Sequence, residues 1–264
     1  MTSVVVTGAA SGIGRAVALR LLDEGWSVVA LDRDAQGLAE LTNSAASRSA
    51  SLTVVEGDVQ TPEAHEIARS VAKKSGPLRA WVAVAGLTRS HIVTALDPNS
   101  VRQMIDTNQM GSLWSASSAV REFLETGSGG VFVGISSVHA SRAAEHYPVY
   151  EMTKAAVEAL VRSVAVSYAR SGIRAVCIAP GAVWTPALRD TIGDAVAPGV
   201  NVGQLESSTP MGRIANPDEV ASVVSFVISK AASYISGTTI HVDGGWTGAL
   251  MQINDRGGEP GVRA

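Results

Sequence analysis

The sequence predicts an α/β fold of the doubly wound kind: one parallel sheet of about seven strands with helices on both faces. Three observations carry this. Short runs rich in Val and Ile, apolar throughout rather than alternating, recur along the chain with helical patterns between them, as strands buried on both faces read. The first run, Val4-Val5-Val6, leads into the glycine-rich TGAASGIG and then into RAVALRLLDEG, a strand, turn and helix in succession. The length of 264 residues, with 26 glycines and only 5% aromatics, suits close helix–sheet packing in one large domain.

Each element follows in order. SVVVTG is the first strand, and GRAVALRLLDEG a helix closing on Gly25. WSVVALD and SLTVVEGDV are the second and third strands, with the helix AQGLAELTNSAAS between them. PEAHEIARSVAKKSG is a helix with Pro62 near its first turn, followed by the strand RAWVAVAG. SVRQMIDTNQMGSLWSASSAVREFLET reads as one long helix, GGVFVGISS as the fifth strand and YEMTKAAVEALVRSVAVSYARSG as another helix. IRAVCIAPG, the helix PDEVASVVSFVISK and SGTTIHVDGG complete the pattern. One domain over 1–247 follows. Within it, 187–210 is an irregular segment long enough to be a lid or binding loop, and 248–264 forms a polar, Gly-rich tail.

Composition narrows the function. A net charge of −3 with scattered Lys and Arg argues against nucleic acid or an anionic membrane as the main partner. No apolar run approaches the ~20 residues of a membrane span. The single cysteine, Cys177, rules out an intrachain disulfide and a multi-cysteine metal site, and no spacing points to another metal site. With the first strand starting near residue 3, a cytoplasmic location without a leader is expected.

The opening loop carries the first chemistry. A strand, a Gly-rich turn and a helix N-terminus present backbone N–H groups and the helix dipole to an anion, here the pyrophosphate of a dinucleotide. Gly8, Ser11, Gly12, Ile13 and Gly14 are the expected contacts, in the spacing G-x-x-x-G-x-G. Asp32 ends the second strand, 18 residues past Gly14, where a carboxylate can accept bonds from both ribose hydroxyls of an adenosine. It would repel a 2′-phosphate, so NAD is expected over NADP. Arg33 counts the other way, because a guanidinium binds phosphate well.

These motifs, with Asp58-Val59, Asn108, Ser137, YEMTK (Tyr150 to Lys154), PGAVWTP and HVDGG in the same order, resemble the Rossmann-type short-chain dehydrogenase/reductase family from Val4 to about Trp246. The resemblance implies that Asp58 and Val59 contact adenine, and that Ala85, Gly86, Pro180 and Gly181 border the cofactor. It further implies that Lys154 binds the nicotinamide ribose and that Thr185, with the Val183 backbone, fixes the carboxamide. Asn108 would join Lys154 to water through a bent helix. The chain departs from the family's N-N-A-G after strand four, which here is Ala83-Val84-Ala85-Gly86, so bonds made by those asparagines must come from elsewhere or be absent.

The residues suit that chemistry. Oxidising an alcohol releases a proton, and a phenol is a weak base at neutral pH unless a nearby cation favours its phenolate. Lys154 lies at i+4 from Tyr150 on one helix face. Tyr150 is then the general base for oxidation and the acid for reduction. The Ser137 hydroxyl, 13 residues earlier, would hold the substrate oxygen where charge develops.

The expected activity is NAD(H)-dependent interconversion of an alcohol and its carbonyl. A sugar or polyol is favoured because His139, Arg142, His146 and their neighbours Glu145 and Tyr147 form a polar rim, with Trp184 beside it. Reduction of a 3-oxoacyl thioester on an acidic carrier protein, met by Arg89, Arg142 and Arg189, is the rival enzyme. A non-catalytic NAD-binding regulator is the alternative of another class. His65, His91 and His241 are expected in surface, loop or packing roles. Apolar and small residues on several faces of the helices around Asn108 and after Tyr150 point to a homo-oligomer, which the family resemblance implies is a dimer or tetramer.

Overall fold

The computed structural model describes residues 1–192 and 201–249. Seven strands form one parallel sheet in the order β3-β2-β1-β4-β5-β6-β7. They are β1 (Ser3–Thr7), β2 (Ser27–Asp32), β3 (Leu52–Glu56), β4 (Leu78–Ala83), β5 (Gly130–Ile135), β6 (Ile173–Pro180) and β7 (Thr239–Val242). The helices are α1 (Gly12–Asp23), α2 (Ala35–Ala45), α3 (Pro62–Ser75), α4 (Pro98–Met104), α5 (Gly111–Thr126), α6 (Pro148–Tyr168), α7 (Pro186–Thr191), α8 (Val202–Ser208) and α9 (Pro217–Ile228).

Side chains of each strand alternate between two cores. Val4, Val6, Val28, Ala30, Val133 and Ile178 pack with Leu21 of α1, Leu38 of α2 and Val224 of α9. Val5, Val29, Trp81, Phe132 and Cys177 face Ala68 of α3, Phe123 of α5 and Val161 of α6. Both faces are covered, which is why the strands read as unbroken apolar runs. β1 pairs with β2 on one side and β4 on the other, so the chain reverses its winding direction at this point. A crevice opens there, at the carboxyl ends of the strands.

Two expectations need correction. The long helix expected over 100–126 is interrupted: α4 gives way to a π-helical turn, Ile105–Met110, before α5 begins. The apolar pattern hides this, because a single wide turn changes the winding without removing any apolar residue. The segment 187–210, expected to be irregular, contains α7 and α8, each started by a side-chain cap from Thr185 or Asn201. Residues 193–200 of that loop and 250–264 of the expected tail lie outside the described residues.

Candidate active site

The glycine loop is built by close approach. Gly8 leaves β1 with φ +66, and a Cβ on it would lie 2.7 Å from the Ala85 Cα. A Cβ on Gly14 would lie 2.0 Å from the Gly8 carbonyl oxygen, so α1 begins hard against the strand exit. The Asp32 carboxylate braces the loop, accepting the Ala10 N–H and the Asp34 N–H, each at 3.0 Å. Arg33 reaches toward Asp58, with 4.0 Å between guanidinium and carboxylate.

The segment that lacks the family asparagines is held by Thr7, whose Oγ1 accepts from the Val84 and Ala85 N–H groups at 3.1 and 3.3 Å. Just beyond, Asn108 clamps Leu87 from both sides. Its Oδ1 accepts the Leu87 N–H at 2.7 Å, and its Nδ2 donates to the Leu87 carbonyl at 2.9 Å and to Thr153 Oγ1 at 3.1 Å. Asn108 is fully buried.

Ser137 closes β5 as the cap of a short 3-10 turn. Its Oγ accepts the His139 N–H at 3.2 Å, which leaves its own O–H to donate. Pro148 starts α6, which presents Tyr150 and Lys154 to the same end. The Lys154 ammonium donates to the Ile135 carbonyl at 2.9 Å and sits 5.7 Å from the Tyr150 ring centroid. It is only 5% exposed. A Cβ on Gly86 would come within 3.3 Å of that nitrogen, so Gly86 leaves room for it.

Ser137, Tyr150 and Lys154 border one cleft of about 520 Å³. So do all the residues expected at the cofactor: Gly8, Ser11, Gly12, Ile13 and Gly14 of the loop, Asp32, Arg33, Asp58, Val59, Ala85, Gly86, Pro180, Gly181, Val183 and Thr185. Among the described residues, no group of three His, Cys, Asp or Glu is placed to hold a metal. No described helix is long and apolar enough to cross a membrane.

The substrate end differs from expectation. His139 borders the cleft, stacked on Tyr147 at 5.9 Å and edge-on to Tyr150 at 5.9 Å and Trp246 at 6.5 Å. Burial lowers its pKa against the opposing pull of Glu151 and an Arg142 backbone bond, so the imidazole is neutral at neutral pH. Three expected substrate residues do not line the cleft. Trp184 is tied to the neighbouring segment instead, its N–H donating to the Ala215 carbonyl at 2.9 Å beside the Val183–Ala215 bridge. His146 adopts φ +68 and pairs with Glu145 at 3.4 Å, and this left-handed step delivers Tyr147 to the cleft in its place. Arg142 stays exposed and reaches the Thr247 carbonyl at 3.4 Å.

Trp246, Leu87, Leu188 and Leu205 line this end without having been singled out at the sequence level. The signal for Trp246 was its place directly after the Gly244-Gly245 turn at the carboxyl end of β7. Asp243 ties that turn together, accepting from the Gly245 N–H at 3.0 Å, the Thr247 N–H at 2.8 Å and the Thr247 hydroxyl at 2.6 Å.

Elsewhere, Cys177 is fully buried, and its thiol is pushed up to about 12, chiefly by burial. His91 is buried with Nε2 3.0 Å from Ser100 Oγ, and His241 is exposed.

A family model described as enoyl-(acyl carrier protein) reductase matches residues 8–247. The chain is 34% identical over 250 residues to 3beta-hydroxysteroid dehydrogenase 1 of Eggerthella lenta, covering 93% of each. It is 28% identical over 247 residues to the L-rhamnose-1-dehydrogenase of Scheffersomyces stipitis, covering 92% of this chain and 94% of the other. Its fold superposes with a TM-score of 0.84 on a crystal structure of 3-ketoacyl-(acyl-carrier-protein) reductase from Brucella melitensis complexed with NADH. The identity there is 26%, covering 93% of this chain and 98% of that one.

Proposed function

The chain belongs to the short-chain dehydrogenase/reductase family, NAD(P)-dependent enzymes acting on CH–OH groups, and from that premise we propose that it interconverts a ring-borne secondary alcohol and its ketone with NAD as the preferred cofactor. The carrying observation is the composition of the cleft. The glycine loop and Asp32 lie at one end, Ser137, Tyr150 and Lys154 further along, and an aromatic and aliphatic wall at the far end.

The residues present fit the cofactor. The loop N–H groups and the α1 N-terminus would hold its pyrophosphate, Asp32 its adenosine ribose, and Lys154, Val183 and Thr185 its nicotinamide end. When bound, the dinucleotide supplies the hydride acceptor or donor. NAD is favoured because Asp32 already stands at the end of β2 facing the cleft, where its charge opposes a 2′-phosphate. The Arg33–Asp58 pair is solvent-exposed and worth at most about 1 kcal/mol, so Arg33 stays available to phosphate and the preference rests on Asp32. Asp32→Ala is expected to lower the ratio of kcat/KM for NAD over NADP; an unmoved ratio removes Asp32 from the ribose.

In oxidation the Tyr150 phenolate takes the alcohol proton, and in reduction the phenol returns it. The Lys154 ammonium favours the phenolate by its charge. Ser137 donates its O–H to the substrate oxygen. Asn108 acts from behind the cleft, fixing Leu87 and Thr153 beside Lys154.

The substrate ring would lie among Trp246, Tyr147, Leu87, Leu188 and Leu205. Arg142, Glu145 and His146, three of the five groups behind the polyol reading, do not line the cleft, and that shifts the balance toward an alicyclic alcohol. The steroid-oxidising relative supports this class. The L-rhamnose relative and the polar edge of His139 favour a sugar as the second reading. For the thioester rival, Arg142 and Arg89 donate to neutral acceptors, the Thr247 carbonyl and Gln103, and keep their charge, so the thioester enters the panel below as its own arm. Self-association through the exposed Leu113, Leu124, Met152 and Val166 of α5 and α6 completes the proposal, with light scattering as its check.

The test is a panel of 3β-hydroxysteroid, cyclohexanol, L-rhamnose and a 3-oxoacyl thioester, followed by the absorbance of reduced cofactor. The highest kcat/KM is expected for the cyclic alcohols. A clear preference for the sugar or the thioester refutes the substrate class while leaving the reaction intact.

A further inference from the structure

Val59 borders the cleft at the end where Asp32, Arg33 and Asp58 lie, yet what fixes its peptide comes from outside the cleft. His65, on α3, is fully buried with Nε2 2.9 Å from the Val59 carbonyl oxygen. A carbonyl only accepts, so Nε2 carries the proton. Nδ1, 3.4 Å from Ser115 Oγ, is left as the acceptor. The ring stacks on Trp81, with centroids 6.1 Å apart and 27° between planes.

Two further elements close on the same spot. A Cβ on Gly111 would lie 3.1 Å from Val59 Cγ2 and 3.2 Å from its carbonyl oxygen, so α5 starts tight against Val59, which would have to give way to a methyl there. Gln60 Nε2 donates to Thr107 Oγ1 at 3.2 Å, inside the π-helical turn. A buried imidazole costs desolvation that an aliphatic side chain would not, and packing alone does not call for it here. Its hydrogen bond acts on one peptide, that of Val59.

We propose that His65 is a positioning residue for the adenine end of the cofactor, acting through the Val59 carbonyl and backed by Gly111. This rests on the cofactor placement given above. With the N–H in place, the Val59 peptide keeps one orientation at the cleft wall. Without it, the peptide can rotate and the adenine loses a defined surface.

The experiment compares wild type with His65→Phe, which keeps a ring on Trp81 but removes the donor. His65→Gln returns a donor, and Gly111→Ala disturbs Val59 without touching the histidine. The readouts are inhibition by ADP, KM for NAD, and kcat at saturating NAD. His65→Phe is expected to weaken ADP and raise the KM for NAD about fivefold, the size of one net hydrogen bond, with a far smaller change in kcat. His65→Gln recovers most of the loss, and Gly111→Ala shows the same split. Unchanged ADP inhibition in both His65→Phe and Gly111→Ala overturns the proposal, as does a fall in kcat as large as the rise in KM. Wild-type enzyme that oxidises alcohols with NAD but is not inhibited by ADP sinks the cofactor placement together with the proposal.

Discussion

Removing one oxygen from Tyr150 leaves its ring beside His139 and Tyr147 and takes away the proton carrier. Tyr150→Phe is expected to lower kcat by ~10²–10⁴-fold. NAD binding, followed by fluorescence titration, should hold; turnover at the wild-type rate would assign the proton to another group. Trp246 tests the other end of the cleft. An aromatic contact of about 0.5–1.5 kcal/mol corresponds to roughly a three- to tenfold rise in KM for a cyclic alcohol in Trp246→Ala. KM for 2-propanol should barely move, and equal rises for both would show that Trp246 does not select the ring. At this scale the sequence was legible wherever a motif fixes the backbone: Gly8, Gly14, Asp32, Ser137, Tyr150 and Lys154 all reach one cleft. It was not legible where a single side chain's direction depends on a bridge to Ala215 or on one left-handed residue, as at Trp184 and His146.

The β1–α1 junction is the element on which the cofactor end depends. A methyl on Gly14 would overlap the Gly8 carbonyl at 2.0 Å, against backbone that cannot yield as a flexible side chain does. Gly14→Ala should therefore lower Tm by several degrees and weaken NAD binding more than tenfold, in thermal melts and titration. A variant with wild-type Tm and affinity would show that the helix can shift away. Strands and most helices could be read in order from apolar runs and their Gly and Pro boundaries. The break at Ile105–Met110 could not, because widening one helical turn leaves the apolar spacing on either side intact.

Across the whole molecule, acid stability follows from two histidines in different places. His65 lies under β4 and His139 at the cleft, and burial is the main cause lowering both. Above the unfolded value of about 6.5 neither state carries the extra protons, and stability is complete. As pH falls below that, the unfolded chain takes up protons that the folded chain refuses until its own lower values, so stability drops. The slope is up to about 1.4 kcal/mol per pH unit for each group. Glu219, held at about 2 chiefly by its bond to Arg213, contributes only further down. Urea midpoints measured from pH 7.5 to 5.5 should fall, and His65→Phe should flatten the trend; a flat wild-type profile would refute it. The parallel sheet and its winding were evident from the order of runs and helices. How the C-terminal turn folds back to bring Trp246 to the cleft was not, since the HVDGG motif does not reveal that Asp243 gathers three donors from Gly245 and Thr247.

The wide turn between α4 and α5 also sets a rule about chain length. Such a turn accommodates a residue that ordinary winding has no place for. Deleting one position within Ile105–Met110 would remove that surplus residue and let ordinary winding resume, keeping α4 and α5 in phase but closing the wide turn itself. Thr107 and Asn108 could not then both meet Gln60 and Leu87. A single-residue gap against a regularly wound helix therefore belongs inside this stretch, and placing it elsewhere pairs the wrong side chains between the gap and the wide turn.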